Sequence, residues 1–338
     1  MKILFIAGSL GKGGAEKQLF YLCKILKSNN YDVKVACLTQ GEYFENEIRN
    51  LNVEVVYIGK SSNKFQRLYE VYKLVRKFNP KLIYGFHFYT GFYAGFVGRI
   101  TNTLSFGSIR SDGNVEKREN GLFSWLHFSF PTKIIANSVH GLDNAQKIFY
   151  TKDLDILPNI IDLDYYNFEK KERKDVLNLL FIGSLKKVKQ PHLFIELVEE
   201  LHSKGIVVEG KVIGKGVLEQ QLKIQAKDLP VEFMGNIDDV RPYLENADYL
   251  ISTSLFEGTP NVILEAMATL TPVFVLYHEG ILSWIEKGIL LKTLSLVEIE
   301  QNIMSNTIND INAAREYLQN NHSFKVTLDK FKSLILEK

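Results

Sequence analysis

Two cysteines in 338 residues, Cys23 and Cys37, are too few for a disulfide framework or a thiolate zinc site. Both sit in apolar runs, where free cysteine is an ordinary small core residue. No apolar run approaches the roughly 18 residues of a membrane span. The opening apolar stretch, residues 3–7, is too short for a secretory signal and passes straight into glycines, so a cytoplasmic location is expected. Charge of one sign is barely in excess: 41 basic against 39 acidic residues leave a net +2, which argues against a dedicated nucleic-acid binder. The total hides an asymmetry, because residues 1–165 carry +6 and the remainder −4. No internal repeat and no low-complexity segment interrupts the chain. What is present is 46% apolar and 24% charged residues, a soluble globular composition at a length that calls for two domains.

Short β-branched runs alternate with amphipathic stretches. Residues 3–7, 33–38, 53–58, 81–85 and 134–136 read as buried parallel strands. Leu19, Leu22, Cys23 and Leu26 share one helix face, and Phe65, Leu68, Tyr72 and Val75 another, which Asn79-Pro80 stops. The charge-dense stretch 169–175 reads as an exposed linker. Alternation then resumes, with strands at 179–182, 207–213, 231–234, 249–252 and 272–276 and helices at 190–203, 217–227, 238–246, 260–269 and 322–336. The expectation is an α/β protein of two doubly wound domains, 1–165 and 166–321, facing a cleft, with the last helix, about 322–338, packing back on the first domain.

The first strand ends in Gly8-Ser9-Leu10-Gly11-Lys12-Gly13-Gly14-Ala15-Glu16. A glycine-rich strand-to-helix turn lets backbone N–H groups approach a phosphate. The dinucleotide fingerprint fails here, because Glu16 stands where the third glycine belongs and the second strand ends at Thr39-Gln40, with no acidic residue to hold a ribose. Four glycines in seven residues exceed what one tight turn needs, so a ligand-facing loop is favoured. A second turn, Gly214-Lys215-Gly216, also lacks the third glycine, since Glu219 stands there.

The most informative segment is "FEGTPNVILEAMA", residues 256–268. Thr259 suits the N-cap of a helix and Pro260 its first position, leaving the N–H groups of Asn261, Val262 and Ile263 as an anion site. Glu257 precedes that site and Gly258 allows close approach. Glu265 interrupts a helix apolar on nearly every face, where a carboxylate is costly without partners. Two carboxylates flanking an anion site suit a nucleotide-sugar: ribose, diphosphate, hexose.

The spacing of Glu257 and Glu265, E-x7-E, resembles the signature of retaining glycosyltransferases of family four, which have the GT-B fold. "GKGGAEKQL", "LPNIID", "FIGSLKKVKQ", "VIGKGVLEQQL" and "VEFMGNIDDVRPYLENADYLIST" resemble further family segments in the same order, so the likeness covers nearly the whole chain. It implies that Glu257 contacts the donor sugar and Glu265 the ribose, that the backbone from Gly258 through Thr259, Pro260 and Asn261 to Val262 holds the diphosphate, and that Gly13 and Gly14 approach it from the first domain. Lys189 is implied to stabilise the leaving phosphate, with Lys186 or Lys187 assisting. No metal or other cofactor is expected. A UDP-sugar is the favoured donor. Front-face attack with retention needs no side-chain nucleophile.

Three departures stand out. Ser184 replaces an arginine that the family often places after the turn glycine. Residues 276–280 read Leu-Tyr-His-Glu-Gly where the family usually has Gly-Gly. In the first domain "FGSIRSDGN" offers Arg110, Ser111 and Asp112 where many members have a histidine, and His87 is the nearby imidazole. The acceptor, a saccharide or lipid-linked saccharide, is expected at the first domain, whose aromatic stretch 84–130 and +6 charge also suit peripheral contact with an anionic membrane at its inner face. Two other readings stay open: a nucleotide-sugar 2-epimerase of the same fold, and a non-catalytic sugar-nucleotide-binding subunit.

Overall fold

Along the first strand, β1 (Lys2–Ala7), Ile3, Phe5 and Ala7 alternate with Leu4 and Ile6, and all five are fully buried. A strand covered on both faces belongs to a parallel sheet flanked by helices. The odd-numbered residues pack with Leu19, Leu22, Cys23 and Leu26 of the helix Gly14–Ser28. The even-numbered ones pack with Val71 and Val75 of the helix Lys64–Phe78 and with Val97 of the helix Gly91–Thr101. Asn79 stops the helix before it in a left-handed conformation, φ 52°, with its N–H on the Val75 carbonyl.

The computed structural model describes residues 1–60, 63–110, 116–117, 121, 124–149, 153–167 and 175–336. Ser111, Asp112 and, except for Asp175, the charged stretch 169–175 lie outside the described residues. By internal contacts the chain forms two units, Met1–Ile160 with Phe324–Lys338, and Ile161–Ser323. This division falls five residues before the expected 165/166 boundary, because Ile161 and Tyr166 already pack in the core of the second unit.

In the first unit β2 (Asp32–Cys37), β3 (Glu54–Tyr57), β4 (Leu82–Gly85), β5 (Leu104–Ile109), β6 (Lys133–Ala136) and β7 (Leu154–Ile156) join β1 in the order β3-β2-β1-β4-β5-β6-β7. Every pairing is parallel, and Ile3 faces both Val33 and Leu82 across the ladder. The strands β5 and β7 were not expected. Ser105, Gly107 and Ser108 break the apolar run of β5, and β7 has only three residues. Gly107 is required by packing: a Cβ there would lie 2.8 Å from Ile134 Cδ1 and 2.9 Å from Pro131 Cγ. The helix Phe324–Leu336 returns to this unit and buries Leu328, Phe331 and Leu334 in its core.

The second unit repeats the plan with β8 (Leu177–Ile182), β9 (Val208–Ile213), β10 (Val231–Gly235), β11 (Tyr249–Ser252) and β12 (Val273–Val275), all parallel, in the order β10-β9-β8-β11-β12. In each sheet the strand order reverses beside the first strand, at β1/β4 and at β8/β11. Open α/β sheets bind ligands outside the carboxyl ends of the strands at such switch points.

Candidate active site

The loops after β8 and β11 leave neighbouring strands at the switch point of the second sheet. After β8 the chain passes Ser184, whose carbonyl accepts the Lys186 N–H at 2.8 Å, and makes a 3-10 turn over Lys187–Lys189. Gln190 then takes φ 44° and Pro191 starts the helix Pro191–Ser203. Thr253, fully buried just past β11, donates its hydroxyl to the carbonyls of Lys189 and Gln190 at 2.8 and 2.9 Å. The Leu255 N–H reaches the Val188 carbonyl at 2.9 Å. These bonds fix one loop upon the other.

The result brings Lys189 and Glu257 together, 68 residues apart in sequence. The Lys189 ammonium bonds Glu257 Oε1 directly, and Ser254 donates its hydroxyl to the same oxygen at 2.9 Å. Both charged side chains keep about a fifth of their surface open, at 23% and 17%. Gly280 crosses behind this loop, where a Cβ would lie 2.2 Å from the Glu257 carbonyl oxygen. The segment that replaces the family's Gly-Gly therefore keeps one glycine where the backbone of Glu257 demands it. Tyr277 donates to Glu279 at 3.1 Å on its outer side.

The helix after this loop runs Asn261–Ala268, and Pro260, not Thr259, occupies its N-cap position with φ −73° and ψ 115°. The Pro260 carbonyl accepts the Ile263 and Leu264 N–H groups at 3.2 and 3.4 Å. Ile263 thus leaves the expected set of anion donors. Proline has no N–H, so Pro260 contributes a fixed φ rather than a hydrogen bond. No acidic side chain sits in the first turn, which leaves the positive helix end uncompensated by the helix itself. Gly258 is buried, Thr259 and Asn261 are half-buried, and Val262 packs against the core of the unit. Glu265 lies in the helix interior, 6% exposed.

Gly13 and Gly14 belong to the first unit, at the N-terminus of the helix Gly14–Ser28. Glycine's backbone freedom is not what this loop uses, because none of Gly8, Gly11, Gly13 and Gly14 has a positive φ. The demand is steric. A Cβ at Gly13 would lie 2.1 Å from Glu16 Oε2. Glu16 is 9% exposed, accepts from Ser9 Oγ at 2.5 Å and from His87 Nε2 at 3.2 Å. Burial raises its carboxyl pKa, but the bonds from His87 and Ser9 outweigh this and leave it below the ordinary value. His87 Nδ1 accepts the Gly8 N–H at 3.0 Å, which puts the proton of the neutral ring on Nε2, facing Glu16. The network ties the loop after β1 to the end of β4. Sequence reasoning named His87 and the glycines but missed Glu16; an acidic residue in the first turn after a glycine loop was the available signal. It also missed Ser254, Thr253 and the role of Gly280. Among the described residues no group of three or more His, Cys, Asp and Glu side chains could hold a metal ion.

Residues 12–165 match the family described as Glycosyltransferase Family 4, and residues 177–309 match Glycosyl transferases group 1. A Campylobacter jejuni relative named GalNAc-alpha-(1->4)-GalNAc-alpha-(1->3)-diNAcBac-PP-undecaprenol alpha-1,4-N-acetyl-D-galactosaminyltransferase is 26% identical over 285 residues, 79% of this chain and 77% of its own. An Escherichia coli relative named UDP-Gal:alpha-D-GlcNAc-diphosphoundecaprenol alpha-1,3-galactosyltransferase is 22% identical over 284 residues, 75% of this chain and 73% of its own. The crystal structure of Anabaena HepE in complex with UDP-glucose superposes with a TM-score of 0.85 over 100% of both chains at 17% identity, a likeness of fold. The two matches follow one another along the chain as the two sheets do, and the protein is a glycosyltransferase, an enzyme of the GT-B fold.

Proposed function

We propose that this glycosyltransferase is a retaining enzyme that moves a sugar from a UDP-sugar to the saccharide of a lipid-linked acceptor, without a divalent metal, in polysaccharide or glycolipid assembly. The observation that carries the reading is the Lys189–Glu257–Ser254 cluster at the carboxyl edge of the second sheet, immediately before the helix Asn261–Ala268. The names of the relatives support the substrate classes: both refer to diphosphoundecaprenol acceptors, and one to UDP-Gal.

In this reading Glu257 accepts hydrogen bonds from the donor sugar and Glu265 from the ribose. The diphosphate lies against the backbone of Gly258, Thr259, Asn261 and Val262. An ammonium has three N–H donors, so Lys189 can hold Glu257 and still meet phosphate oxygens. The bond from the anomeric carbon to the phosphate oxygen breaks with its electron pair on the leaving diphosphate. The acceptor hydroxyl oxygen bonds the anomeric carbon from the same face, and its proton passes to the leaving phosphate. Lys189 stabilises the charge that develops there. Ser184, with no charge, leaves this task to the lysines of the turn.

Glu257→Gln and Lys189→Met test the site. Each should lower kcat/KM by roughly 100-fold or more while leaving the melting temperature near that of the parent. Transfer at the parental rate in Glu257→Gln would sink the assignment. Proton NMR of the product should give the donor's anomeric configuration.

Contact with an anionic membrane surface is part of the same reading. Arg99 donates to the Ser129 carbonyl, joining the helices Gly91–Thr101 and Ser124–Ser129, and to the Phe130 carbonyl just beyond at 3.1 Å, and on these helices Ile100 and Trp125 stay 58% and 55% exposed. Sedimentation with phosphatidylglycerol vesicles at low salt, lost at high salt, is the expected result. No sedimentation at low salt removes the membrane contact and leaves the transfer reading standing.

A further inference from the structure

The carboxyl edge of the first sheet holds a cation for which the steps above have no use. The neighbouring strands β4, β5 and β6 end in polar residues: His87 beyond β4, Arg110 directly after β5 and Asn137 directly after β6. The Arg110 guanidinium lies 3.7 Å over the Phe86 ring. Its Nη1 donates to Asn159 Oδ1 at 3.3 Å, a long bond to a neutral group. Its Nε is buried and meets no acceptor among the described residues. Among the described residues Arg110 makes no ion pair. The acid whose charge it feels, Glu16, has its carboxylate engaged by Ser9 and His87. Burial pulls the guanidinium below its ordinary pKa, and Tyr84 and Glu16 only partly offset this. A sunken cation without a counter-ion is unfavourable unless an anion completes it. The planar fork stays one of the best matches for two oxygens of a phosphate. The place is also right, because ligands of open α/β sheets bind at this edge beside the switch point, here β1/β4.

We propose that Arg110 is a substrate-binding residue that takes a diphosphate group through its guanidinium fork. The inference rests on the transfer reading for its choice of anion, since both substrates named there carry a diphosphate: the nucleotide of the donor and the prenyl diphosphate of the acceptor. Phe86 holds the guanidinium plane from one face, and the Nε–H is one of the donors that the phosphate oxygens engage.

Two variants separate recognition from support. Arg110→Met keeps an apolar stem over Phe86 and removes the fork; Arg110→Lys keeps the charge and removes the fork. Steady-state kinetics are read with donor and acceptor varied in turn. Arg110→Met is expected to raise KM for one substrate by about 10- to 100-fold, with Arg110→Lys intermediate and both melting temperatures near the parent's. The substrate whose KM rises identifies the source of the diphosphate. Two results overturn the proposal: KM values for both substrates unchanged within about twofold, or a lowered melting temperature and kcat with KM unchanged, which would make Arg110 a prop for Phe86. Calorimetry with UDP and with a short-chain prenyl diphosphate needs no turnover, so it keeps the two readings apart. If the parent shows no transfer, the transfer reading fails, while a loss of affinity for one probe in Arg110→Met still supports the site. Equal affinity of parent and variant for both probes overturns it.

Discussion

A methyl group at Gly280 would have to share space with the Glu257 carbonyl oxygen, 2.2 Å away. A methyl at Gly8 would meet an even closer atom, Tyr89 Oη at 1.6 Å. The shorter distance is the cheaper clash. Tyr89 is 40% exposed and its ring can swing aside, whereas the carbonyl beside Gly280 belongs to the backbone that aims Glu257. Neither glycine has a positive φ, so the difference is one of packing and not of backbone strain. Gly280→Ala is therefore expected to cost about 1–3 kcal/mol of stability and to lower kcat/KM by roughly 10- to 100-fold, since a displaced reacting group loses rate steeply. Gly8→Ala should stay within about 1 kcal/mol of the parent in stability. Urea denaturation and initial rates of both variants check this. If Gly280→Ala transfers as fast as the parent, the contact does not position Glu257.

At the scale of elements, the helix Ser124–Ser129 carries a pH response. His127 packs its ring 5.1 Å from that of Phe88 and 6.4 Å from that of Phe92. Burial, and to a lesser degree Lys64, push its pKa down to about 4 from 6.5. The folded chain then stays neutral at His127 where the unfolded chain takes up a proton. Stability from this residue is present above about 6.5 and is lost as the pH falls from there toward about 4. The melting temperature should drop between pH 7 and pH 5, and His127→Phe, which keeps an aromatic ring against Phe88, should flatten that slope; equal slopes would assign the loss to other groups. The same scale shows what the sequence could tell. Apolar β-branched runs such as β1, β2 and β11 announce buried parallel strands, and the start of the helix Asn261–Ala268 shows in its Thr-Pro-Asn turn to within one residue. The strand β5 stays hidden because its glycine and serines answer to neighbours on β6 and its approach: Gly107 to Ile134 and Pro131, Ser105 to Thr132. In the candidate site Glu257 and Glu265 are legible as acids out of place around a helix start. The links that hold the site are not, because Thr253 reaches Lys189 over 64 residues and Glu16 reaches His87 over 71. No local period encodes such pairs.

For the molecule as a whole, the first unit is built from two distant stretches of chain. The second unit is an insertion between Ile160 and Phe324, and the segments leading into and out of it are tied by the Ile161 N–H on the His322 carbonyl at 3.0 Å. The chain then returns as the helix Phe324–Leu336. Phe324 meets the Tyr21 ring at 5.9 Å, Lys24 lies 5.3 Å over it, and Phe331 is fully buried in the same core as β1. All seven strands of the sheet precede this helix in the chain, and the helix packs against the core that they and the helix Gly14–Ser28 share. Phe331→Ala leaves a cavity there and should cost about 3–5 kcal/mol. The two cores share no residue, so the loss should stay in the first unit. Hydrogen exchange read by mass spectrometry is expected to rise in peptides spanning β1 and the helix Gly14–Ser28 while those spanning β8 and β11 keep the parental rate. Equal acceleration in both sets would mean that the units open together, and the second unit would then owe its stability to the returning helix as well.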